Sequence, residues 1–173
     1  MKILAVIDMQ NDFINGSLGT PEAQAIVSRV ADKIKAFDGS IYYTRDTHKE
    51  NYLETLEGKN LPVIHCMEYT DGWKINADVM GASQGKKVTV IDKPSFGSFE
   101  LMNAIAEDWE GEIDSITLIG LCTDICVINN AMNLKTKFWN IPIIVDSSCC
   151  AGVTPQSHNN ALEAMKMCQI TII

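Results

Sequence analysis

Residues 2–8 read KILAVID and residues 115–121 read SITLIGL. Both are short, nearly continuous apolar runs, and the second is rich in β-branched side chains. Such runs mark strands buried on both faces of a parallel sheet, because a strand with one wet face would alternate apolar and polar residues. Working outward, SIYYTR (40–45), KVTVID (87–92), IPIIVDS (141–147) and QITII (169–173) are further strand candidates. PEAQAIVSRVADKIKAF (21–37) sets Ala25, Ile26, Val30, Ile34 and Phe37 at helical spacing behind Pro21. FELMNAIAEDW (99–109), TDICVINNAMNLKTKF (123–138) and TPQSHNNALEAMKM (154–167) also read as helices, the last with Thr154 as N-cap before Pro155. Strands alternating with helices predict an α/β fold with a parallel sheet covered on both faces. The rhythm fails over about 46–86, an irregular insertion that carries Tyr52, His65 and Trp73. Long insertions in a compact fold tend to be functional when they are ordered.

The 173 residues are expected to form one domain over 1–173. The formal net charge of −8, with no basic block, speaks against nucleic-acid binding. No apolar stretch reaches membrane length, and Asp8 interrupts the opening run too early for a signal peptide. The six cysteines read as free thiols of a cytoplasmic protein rather than as a disulfide framework.

In a parallel sheet, ligands gather beyond the carboxyl ends of the strands. Asp8 follows the first strand, Asp46 the second and Lys93 the third, and the GLCTDIC turn follows the fourth. Cys126 sits in the first turn of a helix, after Thr123 or Asp124 as cap. The exposed amides there predict a lowered thiol pKa and could hold an oxyanion. The alternative is an inert core cysteine, and the Cys122–Cys126 spacing leaves a disulfide or metal pair open. Asp8 could take the thiol proton or simply cap its turn, and Lys93 could stabilise negative charge or lie in solvent. Asp46, His48, Glu57 and His65 offer a donor set for Zn²⁺ or another divalent first-row ion, or an Asp–His hydrogen bond and an unrelated core histidine.

The segments IDMQNDF (7–13), TRDTH (44–48), KPSFGSF (93–99) and GLCTDICV (120–127) together resemble the isochorismatase-like cysteine hydrolase superfamily, and within it the nicotinamidase-like amidases. The order and spacing match over nearly the whole chain. The resemblance implies a Rossmann-like three-layer domain with a six-stranded, mostly parallel sheet. It implies Asp8, Lys93 and Cys126 as a catalytic triad and the backbone N–H groups of Cys122 and Cys126 as the oxyanion hole, with a cis peptide between Leu121 and Cys122. It also implies Phe13 and Phe96 as walls of a ring pocket. Asp46, His48, Glu57 and His65 would hold a divalent metal, zinc first, with iron or manganese suiting the same donors. The implied partners are a small amide substrate and further copies of the chain, as a dimer or tetramer. The chain departs from the branch where a tryptophan often precedes the last histidine ligand: it has Pro62-Val63-Ile64 there, with Trp73 as a candidate replacement. Nicotinamide to nicotinate is the leading reaction. The alternatives are a ureido or carbamoyl amide, vinyl-ether cleavage of the isochorismatase type, and non-catalytic binding of a small molecule.

Overall fold

Every residue of β1 (Lys2–Ile7) after Lys2 is buried. Ile3, Ala5 and Ile7 face one helical layer and Leu4 and Val6 the other, as a two-residue side-chain period demands in mid-sheet. β1 pairs in parallel with β2 (Ser40–Asp46) and with β4 (Ser115–Leu121). With β3 (Val88–Lys93), β5 (Ile143–Ala151) and β6 (Thr171–Ile172) the order is β3-β2-β1-β4-β5-β6, and every pairing is parallel. The sheet is therefore wholly rather than mostly parallel. The winding reverses between β1 and β4, which opens a crevice at their carboxyl ends. The structure, a computed structural model, describes residues 1–108 and 111–173.

One face is covered by α2 (Pro21–Ala36), which follows the short α1 (Asn11–Ile14). Thr20 caps α2 by accepting the Ala23 N–H at 3.0 Å, and Pro21 opens it. Its buried stripe is Ala23, Ile26, Val30, Ala31 and Ile34; Ala25, expected inward, is exposed because it lies about 200° around the helix from Ala23, on the side away from the stripe. The other face is covered by α5 (Phe99–Asp108), α6 (Ile128–Lys137) and α7 (Pro155–Met167), through Leu101, Ile105, Ala131, Leu134, Leu162 and Met165. Trp109, the expected end of the 99–109 helix, lies outside the described residues. Thr154 caps α7, as the sequence implies, and Ser157 completes a capping box with it. The 46–86 insertion contains only a 3₁₀ turn (Tyr52–Glu54) and the short helices α3 (Leu56–Asn60) and α4 (Ala77–Gly81).

Near the end of β4, Gly120 adopts φ +118°, and a Cβ there would stand 2.1 Å from the Ile7 carbonyl oxygen. Glycine alone lets β1 and β4 close at this level. That approach brings the residue after β1 beside the turn after β4.

Lys33 on α2 reaches Asp146 on β5 at 2.8 Å, and the Ser148 hydroxyl donates to the same carboxylate at 2.7 Å. Burial opposes ionisation of Asp146, but the Lys33 ammonium and the Ser148 hydroxyl outweigh it and hold the carboxyl below its usual range. A carboxyl depressed in the folded state stabilises fully above about pH 5. The stabilisation declines below the unfolded value of about 3.9 and is lost as the pH falls through the folded value. Asp146→Asn is expected to lower stability by about 1 kcal/mol at pH 7. Denaturant melts of both proteins should show this gap closing toward pH 3.

Candidate active site

The carboxyl ends of β1, β2 and β3 deliver Asp8, Asp46 and Lys93 to one point. Asp46 and Lys93 are direct partners in the β2–β3 register, and Asp8 follows the last residue of β1 with φ +46°. Lys93 is fully buried. Its ammonium lies 2.7 Å from Asp8 Oδ2, 3.6 Å from Asp46 Oδ1 and 3.5 Å from Cys126 Sγ, and it donates to the Ser95 carbonyl at 3.0 Å. Burial pulls its pKa down, but the charges of Asp8 and then Asp46 more than reverse this, so the ammonium stays protonated. Asp8 is held by Thr44, whose hydroxyl donates to Oδ1 at 2.6 Å and accepts the Asp8 N–H at 3.2 Å. Desolvation raises the pKa of Asp8 despite Lys93 and Thr44, which favours it as a proton acceptor.

Cys126 departs from expectation in two ways. It lies in a π-helical turn (Thr123–Val127), not in the first turn of an α-helix, and the cap position is Cys122 without a side-chain cap bond. Thr123 instead pairs with His158 Nδ1 at 2.8 Å, and Asp124 accepts the Val153 N–H at 3.1 Å. The thiol pKa is also raised well above the ordinary value rather than lowered. Burial is the main cause, Lys93 opposes it, and Asp8 and Asp46 add to it. With Cys126 only 5 % exposed, a thiolate would be poorly solvated, and this outweighs the favourable end of the turn. Burial at this depth therefore favours the thiol over the thiolate. The Leu121–Cys122 peptide is cis, as the family resemblance implies. Ile125 and Val127 both donate to the Cys122 carbonyl, at 3.1 and 3.0 Å, on either side of Cys126 in the chain. Burial pushes the Cys122 thiol up to about 12, so it is neutral as well.

Beside this group the four candidate metal ligands converge. One donor atom each from Asp46, His48, Glu57 and His65 lies within 4.8 Å of all the others. Asp46 Oδ2 stands 2.9 Å from His48 Nε2 and 3.5 Å from His65 Nε2, and Glu57 Oε1 stands 3.6 Å from His48 Nε2. Donors around a tetrahedral zinc sit about 3.4 Å apart, so the cluster has the right scale. His48 Nε2 and Asp46 Oδ1 are buried without a hydrogen bond of good geometry. His65 Nδ1 is 2.7 Å from the Val63 carbonyl, which fixes the proton there and leaves Nε2 free to ligate. Burial opposes ionisation of Asp46, but His48 and His65 and then Lys93 overcome it and keep the carboxylate charged. Asp46 Oδ1 faces the Lys93 ammonium, but the orphaned His48 nitrogen, the fixed His65 tautomer and an ionised carboxylate turning Oδ2 to both histidines are what a divalent cation requires, and the residues fit one.

A cavity of about 310 Å³ opens onto both groups. Cys122 and Cys126 line it with Asp46, Glu57 and His65, and Phe13, Leu18, Leu61, Phe96, Ile125 and Val153 supply apolar walls. Phe13 and Phe96 thus stand where expected, and Phe13 tilts against His65 at 5.6 Å. Trp73 does not line the cavity. It is clamped beneath Arg45, 3.6 Å from the ring, and donates to Thr47 at 2.8 Å.

Sequence reasoning passed over two supports, Thr44 and Gln10, and named a third, Tyr52, without a partner. Thr44 aims Asp8. Gln10 grips the Asp46 peptide from both sides, donating to its carbonyl at 2.8 Å and accepting its N–H at 2.7 Å. Tyr52 packs against His48 and His65 at 4.5 and 5.1 Å. A polar residue inside an otherwise buried strand was the available signal for Thr44, since such groups need partners.

The isochorismatase-domain family matches residues 2–173. The nicotinamidase of Saccharomyces cerevisiae is 23 % identical, over 100 % of this chain and 99 % of its own. A pyrazinamidase/nicotinamidase structure from Streptococcus mutans superposes with a TM-score of 0.86 at 28 % identity, covering 100 % of both chains. The pyrazinamidase of Pyrococcus horikoshii, solved in complex with zinc, superposes with a TM-score of 0.82 at 26 % identity, over 99 % of this chain and 98 % of that one.

A buried neutral thiol reacts slowly with alkylating agents, whereas Cys168 is exposed. With limiting iodoacetamide at pH 7, peptide mass spectrometry is expected to find Cys168 labelled before Cys126.

Proposed function

Because the chain belongs to the isochorismatase family, we propose that it is a cysteine-dependent amidohydrolase whose best-fitting substrate is nicotinamide, converted to nicotinate and ammonia. The observation that carries this proposal is the buried Lys93 ammonium, 2.7 Å from Asp8 and 3.5 Å from the Cys126 sulfur, beside a cavity of small-ligand size.

Asp8 takes the Cys126 proton as the sulfur attacks the amide carbon, so the thiolate forms only as it is consumed. The N–H groups of Cys122 and Cys126 receive the oxyanion, and Lys93 balances the charge that moves between Asp8 and sulfur. Asp8 then protonates the leaving nitrogen, ammonia departs and a thioester remains. A water that gives its proton to Asp8 cleaves the thioester, and sulfur leaves with that proton as the Cys126 thiol. Asp46, His48, Glu57 and His65 would hold a divalent cation, zinc first and iron or manganese as alternatives, supplying a Lewis-acidic anchor for a ring nitrogen or a water.

Phe13, Leu18, Phe96 and Ile125 suit a flat ring better than a ureido or carbamoyl chain. Vinyl-ether cleavage needs no thiol nucleophile, and a binding protein needs none of the three charged or nucleophilic groups. We further infer that the chain acts as one catalytic domain, in the cytoplasm, as a homo-oligomer. Its free cysteines suit a reducing compartment, and none of the described helices is long and apolar enough to cross a membrane.

Ammonia release from nicotinamide, followed by a coupled assay, is the direct test. Cys126→Ala should lower kcat/KM by about 10⁴-fold or more with an unchanged circular dichroism spectrum, and a fully active variant would refute the nucleophile assignment. Calorimetric titration of chelator-stripped protein with zinc is expected to reveal one site per chain. His48→Ala/His65→Ala should remove that heat, and binding should weaken as the pH falls and protons compete for the donors.

A further inference from the structure

Asn130 is 1 % exposed, on α6, four residues beyond Cys126. Its side chain joins two segments that are remote in sequence. Nδ2 donates to the Cys126 carbonyl at 2.8 Å and to the Phe96 carbonyl at 3.0 Å, while Oδ1 accepts the Ser98 N–H at 2.9 Å. The loop it holds, 94–98, connects β3 to α5. The same loop supplies the Ser95 carbonyl that receives Lys93 and the Phe96 side chain that walls the cavity. Ser98 then starts α5, its hydroxyl accepting the Leu101 N–H at 3.0 Å.

Phe96 is 42 % exposed, so packing holds its ring only in part. Besides the Asn130 bonds, the loop is held by Lys93 on the Ser95 carbonyl and by the Ser95 hydroxyl, which donates to the Gly97 carbonyl at 3.3 Å. A tether at its carbonyl therefore governs where the ring stands. The tether is anchored on the carbonyl of the residue that carries the sulfur, so wall and sulfur are referred to one another by a single amide group.

We propose that Asn130 is a positioning residue that sets the placement of Phe96 and Lys93 relative to the Cys126 sulfur, and through them the placement of the amide. It does not touch the substrate. The proposal rests on the amidase function, and the test has a readout independent of that function. Asn130→Ala removes all three bonds, whereas Asn130→Asp keeps the acceptor for Ser98 but turns a carboxylate toward two carbonyls. Both variants, used as the full chain, are expected to raise KM for nicotinamide about tenfold or more and to lower kcat by less, because substrate placement suffers more than the triad chemistry. In both, iodoacetamide should label Cys126 about tenfold faster than in the wild type, as the loop opens, with Cys168 unchanged as internal reference.

A role confined to stability would lower the melting temperature while leaving KM and Cys126 labelling at wild-type values below the melt, and that result overturns the proposal. Should Asn130→Ala fail to fold, Asn130→Asp carries the same measurements. If wild-type protein releases ammonia from no amide but Cys126 labelling still accelerates in the variants, the amidase function fails and the positioning role stands. If wild-type protein is active and both variants match it in KM and labelling, the positioning role fails alone.

Discussion

An ammonium without water must be surrounded by anions and carbonyls, and this constraint on Lys93 organises the site. Two carboxylates in one dry crevice would repel each other and shed a charge. With Lys93 between them, Asp8 and Asp46 both fit. Removing Lys93 would leave two buried carboxylates with no cation between them, which is far more damaging than the ion pairs are stabilising. The sheet makes the arrangement possible without long side-chain excursions. β3, β2 and β1 are neighbours, Asp46 and Lys93 stand in register, and Asp8 comes one residue after β1. A slip of one residue in either pairing would send these groups to opposite faces.

Asp46 has a second set of neighbours. One of its oxygens faces the ammonium and the other faces His48 and His65, so a single strand end serves the Lys93 group and the candidate metal cluster at once. The supports around it are correspondingly dense. Gln10 fixes its peptide, and Tyr52 packs the two imidazoles. The insertion that brings Glu57, His65 and Tyr52 has little regular structure of its own, and these contacts help to order it.

The sheet was legible because its central strands are apolar on both faces, a pattern that few other environments tolerate. Once the strands were placed, their ends named Asp8, Asp46 and Lys93, and the spaced motifs pointed to Cys126 and the four candidate metal donors. The supporting contacts were not legible. Thr44 meets Asp8, and Gln10 meets Asp46, from 36 positions away. Asn130 meets Phe96 from 34. Such partners are set by tertiary packing, and a local pattern cannot record them. The thiol pKa was misjudged for a related reason. The turn that favours a thiolate is visible in sequence, whereas the depth of its burial and the two nearby carboxylates exist only after folding. Ala25 was misplaced more simply, by counting it into the stripe of Ile26, Val30 and Ile34 although it does not stand three or four residues from any of them.

The protonated state of Cys126 has a consequence for durability. Peroxides attack thiolates far faster than thiols, and the first oxidation step opens a route to sulfinic and sulfonic acids that reducing systems do not reverse in most proteins. A sulfur that is uncharged and shielded between turnovers offers oxidants little to attack. Under the proposed mechanism it becomes reactive only while an acceptor carbon is already in front of it. The geometry that defers ionisation thus also limits the wear of the molecule over its working life.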